Sequence, residues 1–418
     1  SVLDHNPEPD KSTSPRIVII DPHGEYGSAF RKRAIVFRAY EDSTHSEGSF
    51  KLVQLPYWLM SSDEFRRLIV GKTEFEATSQ ANVVYKALGH ARMHFAGLVK
   101  SASESLASAD ANNPPDIPMP LTEDQRTAIG GFNRDRPLPF SLDEFEAHIR
   151  LCQAKRFKDR KWEDVTPTDF QKDFSSILDK LHVLRTDNRV AFLMKNRANG
   201  DPNLEQILAQ FVALIAENAE ASVRILDISG LPNEVAGPLT AALARLLFSY
   251  KLHQTRAERE KDPLLLVCEE AHRYVPDKGE AQYAAAQDAI RRIAREGRKY
   301  GIGLMLVSQR PADVESIVLS QCNSWLVLRL TNGTDQVHVG RFLPDTLAGL
   351  IKLLPSLPRR EALFVGEAAA LPARIRLNTV PEDKRPDSDD ISFAKGWSTP
   401  QIELKSLQPI VSRMLGEN

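Results

Sequence analysis

The second half of the chain alternates two kinds of hydrophobic pattern. Short uninterrupted apolar runs, VRILDI (223–228), LLLVC (264–268), IGLMLV (302–307) and WLVLRL (325–330), predict strands. Segments of helical period, TAALARLLFSYKL (240–252) and AQYAAAQDAIRRIAREGRK (281–299), predict helices between them. Continuous rather than alternating apolar strands suit a parallel sheet covered on both faces. The predicted fold class is therefore α/β. One further run of this kind, IVII (17–20), stands near the start and is stopped by Asp21 and Pro22, and LFVG (363–366) and ARIRL (373–377) read as final strands. From Leu55 to Leu214 helical patterns such as DEFRRLI and FQKDFSSILDKLHVL take over, interrupted by the polar, Pro-rich stretch 105–120, which reads as a surface loop. The expected organisation is a core begun in 1–54, a helical insertion over 55–215, the rest of the core over 216–385 and a polar, extended arm over 386–418.

At 418 residues the chain has ample material for a large core. Lys and Arg total 54 against 56 Asp and Glu, which excludes a protein that coats nucleic acid by bulk charge; a nucleic-acid site has to be a local basic patch. No apolar run reaches the ~20 residues of a membrane span, so no membrane partner is expected. Cys152, Cys268 and Cys322 are few and far apart, which argues against a disulfide scaffold or a Cys-based zinc site and for a reducing, cytoplasmic setting.

In open α/β sheets ligands bind beyond the carboxyl ends of the strands. Here the residues after the apolar runs are Asp21-Pro22-His23-Gly24-Glu25-Tyr26, Asp227 with Ser229-Gly230, Glu269-Glu270-Ala271-His272 and Ser308-Gln309-Arg310. An apolar strand ending in two acids is the Walker B arrangement of nucleoside triphosphatases. The first acid helps hold magnesium, usually through water, and the second polarises the attacking water. An acidic helix start, favoured by the helix dipole, is the bland alternative. An amide such as Gln309 at the next tip can sense a γ-phosphate or orient water; the alternative is a polar helix cap. On the intervening helix Arg291, Arg295 and Arg298 line one face, either a solvated surface or a source of an arginine finger toward a neighbouring subunit.

Such chemistry needs a phosphate-binding loop, G-x-x-x-x-G-K-[ST]. The sole GK[ST] is Gly71-Lys72-Thr73; its first glycine would fall at Arg66, and the stretch before it reads as helix, so it is taken as a decoy. At this point DPHGEY (21–26), CEEAHRYVP (268–276), REGRKYGIGLMLVSQRP (295–311), LSQCNSWLVLRLTN (319–332) and LPSLPRREALFVGEA (354–368) resemble, in order and spacing, HerA-type ATPases of the FtsK–HerA superfamily. The resemblance covers 17–30 and about 220–380. It implies a RecA-like P-loop NTPase core with ATP and Mg2+ as cofactors. Glu270 would be the catalytic carboxylate, Glu269 the magnesium-side acid and Gln309 the phosphate sensor. Asp21, His23 and Glu25 would border the nucleotide, and Arg298, then Arg295, would be the finger acting in trans. The family's first Walker B acid is more often Asp, and here it is Glu269, one methylene longer. In the family a β-barrel and the phosphate loop come before DPHGEY, so both are expected to lie outside this chain, and the chain alone is expected to be inactive. Partners implied are DNA, five further copies in a homo-hexamer, and a nuclease or, in antiviral defence, a sirtuin-type effector.

The most basic stretch is Lys155-Arg156-Phe157-Lys158-Asp159-Arg160-Lys161, followed by Trp162. Positive charge interleaved with aromatics can grip phosphates and stack on bases; a solvated helix face or a subunit contact would read the same way. Two functions from different classes fit: an ATP-driven hexameric DNA translocase or helicase, and a ring-shaped, ATP-regulated scaffold that assembles and activates a partner effector.

Overall fold

The structure, a computed structural model, describes residues 15–39, 50–70, 78–194, 200, 202–213, 221–277, 284–343, 348–386, 393–398 and 404–415. Its centre is a six-stranded sheet in the order β3-β2-β6-β1-β7-β8, formed by β1 (Arg16–Asp21), β2 (Ala34–Arg38), β3 (Phe50–Leu52), β6 (Val223–Asp227), β7 (Leu264–Cys268) and β8 (Ile302–Leu306). Every pairing in it is parallel. β1 and β6, in the middle, are buried along almost their whole length, which is why they read as unbroken apolar runs rather than as alternating ones. One face packs Val18, Ile20, Leu226 and Leu266 into a core that continues into Phe65, Phe145 and Leu181 of the region between β3 and β6. On the other face Ile17, Ile19, Val223, Ile225 and Val267 lie under Tyr26, Phe30, Ala34 and Val36. The fold is RecA-like: a mostly parallel sheet with helices against it, the longest being Asn233–His253 and Ala284–Tyr300, packed on each other.

Between β3 and β6 the chain is mainly helical, including Ser62–Val70, Thr78–Phe95, Leu142–His148, Ser176–Thr186 and Leu204–Val212. The exception is a two-stranded hairpin of β4 (Lys155–Lys158) and β5 (Lys161–Asp164). Gly71-Lys72-Thr73 lies outside the described residues, but what precedes it is the Ser62–Val70 helix, not the strand a phosphate loop follows.

Two expectations need correction. WLVLRL does not join the parallel sheet. Ser324–Val327 is β9 of a separate antiparallel sheet, order β11-β10-β9, with β10 (Glu361–Gly366) and β11 (Ala373–Arg376). This sheet buries one side only, so Leu326 and Leu328 stay exposed while Val327 packs with Leu363 and Val365. The polar arm is not wholly extended: Phe393–Trp397 and Leu404–Leu415 are helices.

Candidate nucleotide site at the strand tips

Parallel register brings the tips together. Asp21 pairs with Asp227, Ile20 with Cys268, and Cys268 with Leu306. The chains leaving β6, β1, β7 and β8 therefore emerge side by side at one sheet edge. Backbone bonds carry the alignment past the strands, from Val307 N to Cys268 O (3.0 Å) and from Ala271 N to Val307 O (2.9 Å). Between those two bonds stands Glu270, in the left-handed region at φ 51°, ψ 51°. A non-glycine residue there costs on the order of 1–3 kcal/mol and persists only when its surroundings enforce it. The two flanking backbone bonds are that enforcement.

The first tip is shaped by Asp21. Its fully buried carboxylate accepts from the backbone N–H groups of His23 (3.1 Å), Gly24 (2.9 Å) and Tyr26 (3.1 Å), folding HGEY back over the sheet edge. Burial pushes the Asp21 carboxyl up, and those N–H donors oppose the rise. Gly24 has φ +73°, and a Cβ there would meet Ser229 Oγ at 2.9 Å, so only glycine fits under the β6 tip. Asp227 is likewise committed, accepting from Arg38 Nε (2.8 Å) and Ser229 Oγ (2.6 Å). Asp21 is thus a positioning residue, one step behind the acids that face the site.

Those acids are Glu269 and Glu270. The Tyr26 hydroxyl donates to Glu269 Oε1 at 2.6 Å. Burial, together with the charges of Asp21, Glu25 and Glu270, pushes the Glu269 carboxyl up to about 7 against the pull of the Tyr26 bond. Around Glu270 stand His23, with Nε2 4.0 Å from Oε1, and His272, with Nδ1 3.1 Å from Oε2 but without the alignment of a hydrogen bond. Glu269 Oε2 and Glu270 Oε2 are both buried and accept no hydrogen bond. Two orphaned carboxylate oxygens among mutually repelling acids fit a divalent cation held directly or through water. Magnesium is usually held by one or two carboxylates, waters and substrate phosphates, and these two acids could supply the carboxylates. Gln309 is exposed at the β8 tip, beside Ser308, whose Oγ accepts from Arg310 N at 3.0 Å.

The arginine stripe divides. Arg291 is not available: Nε and Nη2 bind Glu315 at 2.7 and 2.9 Å, fastening its helix to the segment after β8. Arg295 is exposed and pairs with no acid among the described residues. Arg298 is 86% exposed and 3.5 Å from Glu367. Because the Ala284–Tyr300 helix runs back toward the start of β8, Arg298 lies at the end of the sheet remote from Glu270, and Arg295 one turn nearer.

The basic stretch 155–161 is hairpin, not helix, with Asp159 and Arg160 as its two turn residues. Lys155 is occupied by Asp164 at 2.7 Å and Lys161 lies 2.9 Å from Glu163, while Arg156, Lys158 and Arg160 are exposed. Two contributors escape a reading by strand tips. Tyr26 lies in DPHGEY, and its hydroxyl is the signal that was there to use. Arg38 ends β2, whose short apolar run AIVF sits between charged residues.

Taken together, the all-parallel order and the aligned strand tips define a RecA-like α/β core. The chain belongs to the family described as helicase HerA, central domain, which matches residues 9–247, more than half of it. It is 31% identical over 194 residues to the DNA double-strand break repair helicase HerA of Pyrococcus furiosus, covering 39% of this chain and 34% of that one. It is 34% identical over 146 residues to a probable helicase of Methanocaldococcus jannaschii, covering 35% and 28%. The chain thus spans about a third of the length of these relatives. Among solved structures, the bacterial conjugative coupling protein TrwB aligns over 89% of this chain and 80% of its own, at 14% identity and a TM-score of 0.46. None of the described helices is long and apolar enough to cross a membrane.

Proposed function

We propose that this chain supplies the hydrolytic half-site of an ATP-driven DNA motor that works as a homo-hexamer. The observation that carries the reading is the pair of buried oxygens that accept no hydrogen bond, Glu269 Oε2 and Glu270 Oε2, at aligned strand tips. When bound, magnesium neutralises phosphate charge; Glu269, with Tyr26 fixing its other oxygen, would hold it through water. Glu270 takes the proton of the attacking water, as its rigid left-handed perch requires no rearrangement to do. Gln309, free at the adjacent tip, orients that water or contacts the γ-phosphate. His23 and Glu25 border the nucleotide on the β1 side. A homo-hexamer lets Arg298 or Arg295, too remote in their own subunit, complete a neighbour's site.

The strand order supports one place for the phosphate-binding loop. It must reach the gap beside Glu270 and Gln309, and a strand must lead into it. Both edges of β7 are taken, by β1 and β8. Among the described residues no strand pairs with the far edge of β8, whose Gly303 and Met305 are exposed. A loop-bearing strand seated there would bring the phosphates beside Gln309 and within reach of the Walker B acids one strand further in. The 418 residues contain no usable loop motif, so the chain by itself is expected to turn over no ATP.

The test is ATP turnover by the native, full-length protein with and without duplex DNA, followed by strand displacement with and without its partner, which the resemblance suggests is a nuclease or sirtuin-type effector. A motor shows DNA-stimulated turnover and displacement. Turnover indifferent to DNA contradicts the reading, and effector activation without displacement supports the scaffold instead.

A further inference from the structure

The β4–β5 hairpin sorts its side chains into two faces. Successive residues of a strand point to opposite sides, and the register sets Arg156 opposite Glu163 and Lys158 opposite Lys161. One face therefore carries Arg156, Lys158, Lys161 and a single acid, Glu163. The other carries Lys155, Phe157, Trp162 and Asp164. The second face makes the hairpin's internal contacts, although Phe157 stays 41% exposed. Lys155 is neutralised by Asp164, Phe157 and Trp162 pack with ring centroids 5.4 Å apart, and the Trp162 indole N–H donates to Asp110 O at 3.1 Å. On the first face the hydrogen bond from Lys161, then the fields of Lys161, Lys158 and Arg156, hold the Glu163 carboxyl below the usual range. That one acid leaves an excess of exposed cations. Asp159 and Arg160, both at positive φ (51° and 63°), close the turn and place Arg160 at the tip.

We propose that the Arg156–Lys158–Arg160 face of this hairpin, with Lys161, binds the phosphate backbone of DNA, and that Phe157 and Trp162 seat the hairpin rather than stack on bases. The inference rests on the DNA-motor reading and assigns it a contact surface. The occupant follows from charge complementarity: three closely spaced cations on a two-stranded ribbon match a row of phosphates, and the larger aromatic, Trp162, is held by the Asp110 carbonyl rather than left open to a splayed base. Recognition of this kind is indifferent to sequence.

The test uses the full-length protein, a mixed-sequence duplex and an oligo-dT strand. Affinity is measured from roughly 50 to 200 mM salt, a span over which phosphate contacts weaken steeply. In the variant Arg156→Gln/Lys158→Gln/Arg160→Gln, duplex affinity should fall about tenfold or more, and the slope of log affinity against log salt should flatten by about two to three, near 0.9 per phosphate contact. Turnover without DNA should be unchanged, which also shows that the variant folds. Phe157→Leu should leave binding to either DNA within about twofold, whereas a stacking platform would lose roughly fivefold to a hundredfold on oligo-dT. An unaltered salt slope in the triple variant overturns the proposal while wild-type binding leaves the motor reading standing, and the same result is expected if an acidic protein is the occupant. A wild-type protein that binds neither DNA overturns both.

Discussion

Glu269 is held in an uncomfortable place. It is half-buried, beside three other carboxylates, and its proton affinity is raised until it titrates at about 7. Such a group costs stability whenever it is ionised and contributes function only when a cation arrives. Glu269→Gln removes the charge and keeps an oxygen for the Tyr26 hydroxyl to donate to. We predict that the substitution raises the urea midpoint of the nucleotide-free protein near pH 8 and weakens magnesium-dependent nucleotide binding by tenfold or more, since one good charged ligand is worth on the order of 1.4 kcal/mol or above. Equal stability and equal binding in the two proteins would mean that Glu269 faces no cation. The places of Glu269, Glu270 and Gln309 at strand tips were legible in the sequence because each comes just after an unbroken apolar strand. The work of Asp21 was not, since nothing in DPHGEY says that its carboxylate is consumed by three backbone N–H groups. Nor was that of Arg291, whose partner Glu315 lies 24 residues on.

At the scale of elements, the region between β3 and β6 buries a histidine pair. His90 stacks on His148 with centroids 4.2 Å apart and approaches Glu144 Oε1 at 2.8 Å, while Gln153 lies 3.2 Å from His148 Nδ1. Burial, then the neighbouring His90 and Lys86, holds His148 well below its ordinary range, so it stays neutral in the folded protein. In the unfolded chain it takes a proton near pH 6.5, so its contribution is complete above that pH and is lost as pH falls below it. The loss is at most about 1.4 kcal/mol per pH unit while the folded form remains neutral. Glu144, held low by His90 and the Ala102 N–H despite its burial, loses stability in the same direction at more acid pH. Glu269, which gains a proton in the folded protein below about pH 7, acts with the opposite sign over the same range. We therefore predict that between pH 7.5 and 5.5 the urea midpoint of the wild type falls relative to that of His148→Phe, in which only the Glu269 contribution remains; identical pH profiles in the two proteins would place the titration elsewhere. The elements themselves were readable to different degrees. β1, β6, β7 and β8 announce themselves as apolar runs. β2 carries an apolar run of its own, AIVF, flanked by charged residues, and was passed over, while β3 is three residues long with no fully buried side chain. The β4–β5 hairpin has charged residues where strand signals would be apolar, and its Asp159-Arg160 turn lacks the glycine or asparagine that marks such turns. β9 is apolar like a buried strand but faces solvent at Leu326, so its sequence could not say which sheet it joins.

Across the whole molecule, the proposed ring turns on which arginine crosses between subunits. Arg291 is tied to Glu315 in its own chain, leaving Arg295, which is exposed, and Arg298, whose only close acid is Glu367 among the described residues. Such fingers are worth about 10³–10⁵ in rate. We predict that subunits carrying Arg298→Ala or Arg295→Ala, mixed with subunits carrying Glu270→Gln, recover turnover above either parent for whichever arginine is the finger. An intact arginine then reaches a neighbour's intact Glu270 at part of the interfaces. No recovery with either variant would remove the trans finger and leave the stripe as a solvated face.

The site itself rests on Glu270, and Glu270→Gln tests it most directly. ATP turnover and nucleotide affinity are measured side by side in the native, full-length protein. Loss of the carboxylate should cut turnover by about 10²–10⁴-fold, the usual worth of a general base, and leave affinity within a few-fold. Hydrolysis at the wild-type rate with Gln at 270 would contradict the account.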